Sequence, residues 1–145
     1  MRFLLFDRVL RVVPGERIEA VKHVSLSDES LREHFPRRPL FPATLVLEAM
    51  TQALGWLSIA THEFRVWAVL TLAEDVVLPP DLPPGTRLDL VGELASTSPR
   101  GSVGRTRALV DGVEVASAGR LLFGHFPHPD PASLRARLSV QRGAS

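Results

Sequence analysis

The sequence predicts an α+β fold in which a curved antiparallel sheet wraps around one long central helix. Three observations support this prediction. Residues 44–61 form an apolar segment long enough for about five helical turns, a hairpin pattern precedes it, and β-rich segments separated by turn residues follow it. Strands grouped before and after a single helix favour this layered arrangement over alternating βαβ units.

The composition bounds the class of protein. The chain has 145 residues and a formal charge of +1, which fits one domain at residues 1–125 and gives no reason to expect a nucleic-acid partner. Cysteine is absent, so disulfides and thiolate metal sites are excluded, and a cytoplasmic location is expected. Asp7 and Arg8 interrupt the N-terminal apolar run too early for a signal peptide.

The N-terminal region reads as a hairpin followed by a loop. Residues 5–13 and 17–25 are rich in apolar and β-branched residues, and a Pro-Gly-Glu turn separates them. A short helix is predicted at 25–33, with Ser25 or Ser27 as its N-cap. The following segment, residues 34–43, is a loop punctuated by prolines.

The central helix is apolar on nearly all sides. Its polar residues recur at intervals of three and four and form one narrow stripe: Glu48, Thr51, Gln52, Gly55 and Ser58. A helix of this kind has to be wrapped by the rest of the fold. Because the stripe interrupts the apolar run, a buried helix is expected rather than a membrane span.

Strands are predicted after the helix at 66–78, 87–94, 104–110 and 113–123. Residues 87–94 alternate in the period of a half-buried strand, and Asp111-Gly112 is a strong hairpin signal. A proline-rich loop at 79–85 separates the first two of these strands. The tail, residues 126–145, is predicted to form a short helix or to be disordered.

Two side chains near the start of the central helix could carry acid–base chemistry. Glu48 lies one turn inside an apolar helix, where a carboxyl group is costly to bury unless it is paired or protonated; a solvent-facing stripe is an equally good reading of the periodicity alone. His34 lies in the loop that leads into the same helix, and histidine exchanges protons near neutral pH. Taken alone, His34 is more typical of a surface or capping residue.

The helix start offers a third group. The backbone N–H of Ala43 or Thr44 should lack an intrahelical acceptor and could bind a carbonyl oxygen that gains negative charge. Pro42 directs the chain into the helix, and Thr44 is the candidate N-cap. Base, acid and oxyanion donor would then converge at this end of the helix.

The segment from His34 to Gln52, HFPRRPLFPATLVLEAMTQ, resembles the signature of the bacterial 3-hydroxyacyl-acyl-carrier-protein dehydratases, which are hotdog-fold enzymes. In that family a His-Phe-Pro-Gly loop leads through Pro-Gly into a helix with Glu-Ala-Met-x-Gln. The fourteen-position spacing from His34 to Glu48 matches. Residues 3–9 resemble the family's first strand and residues 77–81 its proline-rich turn, so the resemblance covers roughly residues 3–123.

Two departures from the family pattern lie in this segment. Arg37 replaces the glycine after His-Phe-Pro, which could change activity or substrate range. Ala43 replaces the glycine at the helix start; alanine keeps the N–H donor and is tolerable if its φ is negative. Glutamate at position 48, rather than aspartate, favours the dehydratase branch over the related dehydratase-isomerases.

The resemblance implies a reaction and a site. A (3R)-hydroxyacyl thioester would lose water to give a trans-2-enoyl thioester in fatty-acid or related acyl-chain biosynthesis, with His34 as base and a protonated Glu48 as acid. The Ala43 N–H would bind the thioester carbonyl, with Gln52, Pro42 and Phe35 in supporting roles. In this family each site takes its two catalytic side chains from opposite subunits, so a homodimer is expected, and a trimer of dimers is possible.

The expected partner is an acyl carrier protein or another pantetheine-linked acyl substrate. Arg32, Arg37 and Arg38 could receive an acidic carrier or a pantetheine phosphate, although a solvated basic loop explains them more simply. No cofactor and no metal site are expected, since the remaining histidines lack partners at ligand spacing. The alternatives are a hotdog thioesterase or hydratase acting on coenzyme A thioesters, and a non-catalytic acyl-binding subunit.

Overall fold

A computed structural model describes residues 4–79 and 81–143, so predictions that fall on Phe3, Pro80 and the last two residues lie outside the described part. The elements follow one another as β1 Arg8–Val13, β2 Arg17–His23, a 3₁₀ turn Glu29–Leu31, α1 Ala43–Thr61, β3 Val66–Val77, β4 Arg87–Ser98, β5 Gly101–Val110, β6 Val113–Pro127 and α2 Pro131–Gln141. The predicted α+β class and the central helix are confirmed.

The six strands form one sheet in the order β1-β2-β4-β5-β6-β3, and every neighbouring pair is antiparallel. α1 contacts the five strands β2 to β6. Its apolar side chains therefore meet the inward-facing residues of the sheet in a single core, which includes Ile18, Leu54, Leu57, Leu88 and Leu90, each at most 1 % exposed.

Two glycines allow α1 to approach the sheet closely. A Cβ built on Gly92 would lie 3.3 Å from Leu54 Cδ1, and one on Gly104 would lie 2.5 Å from the Glu93 carbonyl oxygen and 2.9 Å from Leu54 Cδ2. A larger residue at Gly92 would press on the side chains of Ile18 and Leu54, and one at Gly104 would also clash with the backbone of β4. Gly92 occupies an inward position of the predicted alternation in β4, which the burial pattern confirms.

The hairpin predicted at Asp111-Gly112 joins β5 to β6. Asp111 has a φ of 50° and Gly112 a φ of 79°. A two-residue hairpin loop with positive φ at both positions matches the right-handed twist of its strands, and Asp-Gly is a favoured pair there. The turn chemistry therefore explains why these two strands pair in sequence order.

Two local predictions near the N-terminus are wrong in their bounds. The helix predicted at 25–33 is a single 3₁₀ turn with Asp28 at its N-cap position, so neither Ser25 nor Ser27 caps it; their hydroxyls hydrogen-bond to each other at 2.7 Å. β1 begins at Arg8 rather than at residue 5. The Leu5 N–H donates instead to Gln52 Oε1 of α1 at 2.9 Å, which draws the chain away from the sheet.

The C-terminal segment forms the helix α2, the first of the two alternatives left open for the tail. Pro131 occupies its first turn, and the Asp130 carboxylate accepts a hydrogen bond from the Ser133 N–H at 3.0 Å. Leu134 and Leu138 are 1 % and 3 % exposed and belong to the main core. Burying each leucine contributes about 1.5–3 kcal/mol, so α2 is held against the body of the protein.

The described part of the chain contains one helix that is long and apolar enough to cross a membrane, namely α1. In this structure 61 % of the most apolar 18-residue stretch of that helix is buried inside the protein. α1 is therefore the core helix of the fold, as the sequence analysis predicts.

A chain of four hydrogen-bonded side chains ties the end of α1 to the sheet. His62 Nε2 lies 2.7 Å from Thr97 Oγ1, which lies 2.8 Å from Ser102 Oγ, and Ser102 Oγ lies 2.9 Å from His125 Nε2. The two imidazole rings are 4.8 Å apart. Burial lowers the pKa of His125 below its ordinary value of 6.5, and the charge of His62 lowers it further.

This network predicts a dependence of stability on pH. Because the folded pKa of His125 lies below the unfolded value, the unfolded state binds more protons, and stability falls as the pH drops below about 6.5. The variant His125→Asn removes this titration. Thermal unfolding measured across this range should show a shallower acid loss of Tm for the variant, whereas parallel curves would contradict the assignment.

Candidate active site

The loop before α1 holds His34 in a defined position. Phe35 and Arg38 exchange backbone hydrogen bonds of 3.2 and 3.0 Å, and the Leu40 N–H donates to the His34 carbonyl at 2.9 Å. The Phe41 N–H donates to the Leu82 carbonyl at 2.8 Å, which joins this loop to the one before β4. The prolines noted in the sequence thus belong to a folded loop with its own hydrogen bonds.

The orientation of the His34 ring leaves one nitrogen able to accept a proton. Nδ1 lies 3.1 Å from the Leu40 carbonyl oxygen. Because a carbonyl oxygen only accepts hydrogen bonds, this contact requires the proton to be on Nδ1, so the neutral ring carries its lone pair on Nε2. The half-buried ring stacks on Phe35 with a centroid distance of 4.3 Å. This is the tautomer in which Nε2 could act as a general base.

Glu48 lies on α1 and is half-buried within the single chain. The Gln52 side-chain amide, one turn further on, donates to Glu48 Oε1 at 3.0 Å. Because Gln52 Oε1 accepts from the Leu5 N–H, the amide itself is held in one orientation. Within residues 4–79 and 81–143, no group forms a hydrogen bond or ion pair with Glu48 Oε2.

Ala43 is the first residue of α1, and Pro42 precedes it as the N-cap with φ −57° and ψ 128°. The prediction that Thr44 caps the helix is therefore wrong. The helix starts one residue earlier because the extended backbone of Pro42 directs the chain into it and the Leu45 N–H bonds to the Pro42 carbonyl at 2.9 Å. The Ala43 N–H is the first of the helix, and no carbonyl lies one turn before it in the helix to accept a hydrogen bond from it.

A cavity of about 590 Å³ opens beside the polar stripe of α1. Its walls are mainly apolar and include both tryptophans, and they are formed by Leu4, Glu48, Thr51, Gln52, Gly55, Trp56, Ile59, Trp67, Ala68, Val69, Leu70, Phe123, Arg137 and Gln141. One protomer thus brings Glu48 and Gln52 together on one cavity wall. Among the described residues that line it, neither His34 nor Ala43 is present.

The three arginines of the predicted carrier surface differ in their contacts. Arg38 forms an ion pair with Asp81 at 2.6 Å, which links the His34 loop to the loop before β4. Arg32 and Arg37 are exposed, and neither forms an ion pair with a carboxylate in the described ranges. The positive charges of Arg32 and Arg37 are therefore not neutralised by a carboxylate in the described ranges, while Arg38 is paired with Asp81.

The cavity residues that sequence reasoning missed include Arg137 and Gln141, which come from the tail. The spacing of the tail residues could have indicated them. Leu134 and Leu138 are four residues apart and form an apolar pair on one face of a helix. Arg137 and Gln141 have the same spacing and form a polar pair on a neighbouring face. Trp56 of α1 also lines the cavity, whereas Met50 and Leu54 of the same helix are buried in the core.

The antiparallel sheet packed on a single central helix defines a hotdog-fold protein, and solved structures of this class are similar. The dehydratase heterocomplex ApeI:P from Xenorhabdus doucetiae has a TM-score of 0.69 and 17 % sequence identity, with 92 % of this chain and 89 % of that chain covered. The family model described as FabA-like domain matches residues 1–74.

The chain belongs to the FabA-like family of dehydratases. The 3-hydroxyacyl-[acyl-carrier-protein] dehydratase FabZ of Symbiobacterium thermophilum is 35 % identical over 133 residues, which cover 90 % of this chain and 93 % of that protein. The FabZ of Thioalkalivibrio sulfidiphilus is 48 % identical over 63 residues, 43 % of this chain and 42 % of that relative. The predicted family and fold are confirmed.

Proposed function

We propose that this protein removes water from a (3R)-hydroxyacyl thioester carried by an acyl carrier protein, giving a trans-2-enoyl thioester in fatty-acid or related acyl-chain biosynthesis. The observation that supports this most directly is the Glu48 carboxyl, held by Gln52 at the wall of an apolar cavity. FabZ relatives matched over most of the chain are named for the same reaction.

The proposed elimination uses three groups of this chain. The thioester carbonyl oxygen accepts a hydrogen bond from the Ala43 N–H, which acidifies the adjacent C2–H. His34 Nε2 takes that proton, and the C–H electron pair forms the C2=C3 double bond. The C3–O bond breaks as Glu48 gives its proton to the departing hydroxyl, which leaves as water.

A homodimer completes the site in this proposal. β3 is an edge strand of the sheet, and its exposed apolar side chains include Trp67, Val69, Leu72 and Val77. Long, exposed apolar edges are protected in natural proteins by pairing or covering. Pairing β3 of two protomers would cover this edge and extend the cavity wall formed by residues 67–70.

In such a dimer, His34 of one protomer would face Glu48 of the other. This arrangement accounts for the placement of Glu48, but not His34, on the cavity wall of a single chain. Arg32 and Arg37 would receive the acidic carrier protein at the entrance. The proposed location is the cytoplasm, which the cysteine-free composition favours; three such dimers could assemble further into a trimer of dimers.

The test is a product assay with purified protein. We expect 3-hydroxyacyl-carrier-protein to yield enoyl thioester, measured by ultraviolet absorbance and mass spectrometry, with the thioester bond intact. A saturated acyl thioester of the same length serves as the control. Release of free thiol from either substrate would support the thioesterase alternative, and acyl binding without any enoyl product would support a non-catalytic subunit.

A further inference from the structure

The helix α2 places two polar side chains on a cavity that is otherwise mostly apolar. Its position is set by Leu134 and Leu138, which are buried in the main core, and by Arg135, whose guanidinium carbon lies 4.7 Å from the centre of the Phe64 ring. Arg137 and Gln141 point from this anchored helix to the cavity, where both are lining residues.

The start of α2 lies beside the C-terminal end of α1, which is the end remote from Glu48. Phe64 follows the C-terminal end of α1, and α2 passes Phe64 at Arg135, two residues before Arg137. Ile59, the cavity residue nearest to that end of α1, is eleven residues after Glu48, which corresponds to roughly 16 Å along the helix axis. An acyl chain that extends from Glu48 along α1 would therefore bring its far end towards the side of the cavity where α2 packs.

The charge of Arg137 is uncompensated within the described residues. Its exposed guanidinium forms no ion pair or hydrogen bond with a side chain in the ranges 4–79 and 81–143. A methyl group placed against it would displace water from a cation and offer no acceptor in exchange. A carboxylate would accept one or two charge-assisted hydrogen bonds, with Gln141 able to donate another.

We propose that Arg137, assisted by Gln141, makes this site selective for 3-hydroxyacyl chains that end in a carboxylate. The inference deepens the proposed function, on which it rests, by naming the class of acyl chain. Arg137 acts as a specificity-determining residue and takes no part in the elimination.

The experiment compares two pantetheine thioesters of equal length, one ending in a carboxylate and one in a methyl group. Trp56 and Trp67 line the cavity, so their fluorescence reports occupancy without turnover. We expect the full-length protein to bind the carboxylate-ended thioester about tenfold to a hundredfold more tightly. Arg137→Met should abolish this preference and leave the two affinities similar.

Arg135→Met is the matched control, because it removes the same charge from the same helix but from a side chain that stacks on Phe64. This variant should retain the preference for the carboxylate. Equal affinities in the unmodified protein, or the same ratio of affinities in both variants, would overturn the proposal. Enoyl formation from the corresponding 3-hydroxyacyl thioesters is measured separately, so that failure of the dehydratase assignment is distinguished from failure of the selectivity.

Discussion

Glu48→Gln is expected to lower kcat for dehydration by roughly 10²–10⁴-fold, the range in which one positioned acid or base contributes. The amide has nearly the same shape as the carboxyl group and still offers an oxygen to the Gln52 amide, which now donates to Glu48 Oε1. It has no acidic proton to give to the departing hydroxyl. Single-turnover formation of enoyl thioester measures the effect, and an unchanged Tm shows that the fold is retained.

His34→Ala should cause a loss of similar size, and mixing the two inactive variants tests whether the site is shared. If each site takes His34 from one protomer and Glu48 from the other, a heterodimer of the variants has one intact site and one doubly altered site. Random re-association of a two-fold symmetric dimer would then restore about a quarter of the full activity.

The outcome of mixing separates two arrangements of the same residues. A site built within one protomer carries one altered residue in every combination, so mixing would restore nothing. Unmixed samples taken through the same dissociation step provide the control. If mass spectrometry detects heterodimers but the mixed sample regains no activity, the shared site is contradicted. The role of Glu48 as the acid is tested separately by the Glu48→Gln variant.

The central helix and the β5–β6 hairpin could be predicted because each depends on residues that are close together in the sequence. Residues 44–61 are apolar on almost every side, and a helix of this kind in a folded domain has to be covered by the rest of the fold. Asp111-Gly112 has the backbone freedom that a tight hairpin requires, and the structure uses it with positive φ at both residues. Short connections account for the neighbouring positions of β4, β5 and β6, whereas β3 pairs with β6 rather than with the next strand in the sequence.

Features that depend on distant contacts could not be read in the same way. The start of β1 is set by the hydrogen bond from the Leu5 N–H to Gln52, forty-seven positions away. The tail has the composition of a surface helix, and only the position of the core decides that Leu134 and Leu138 are buried. Arg137 was missed as a cavity residue for the same reason, since its role depends on where α2 docks.

The residue at the start of α1 shows how a departure from a family pattern is accommodated. Ala43 stands where the resembling family has glycine, and glycine is needed only where φ is positive or space is lacking. Ala43 is a helical residue and is not among the described residues with positive φ. The departure therefore costs no backbone strain at this position, and the N–H donor is preserved.

Ala43→Pro isolates that donor, because it removes the N–H and changes little else. Proline is favoured in the first helical position, and the extended Pro42, with ψ 128°, suits a residue that precedes proline. We expect kcat to fall by roughly 10²–10³-fold, as when one oxyanion donor is lost, while circular dichroism and Tm stay close to those of the unmodified protein.

Ala43→Gly is the control that keeps the N–H group and restores the residue of the family pattern. It should retain activity and lose only a few tenths to about 1 kcal/mol of stability, the helix-propensity cost of glycine. If the proline variant folds and turns over as fast as the glycine variant, the carbonyl oxygen is not bound by this N–H. In that case a different donor must stabilise the enolate, and the neighbouring Thr44 N–H in the same turn becomes the group to test.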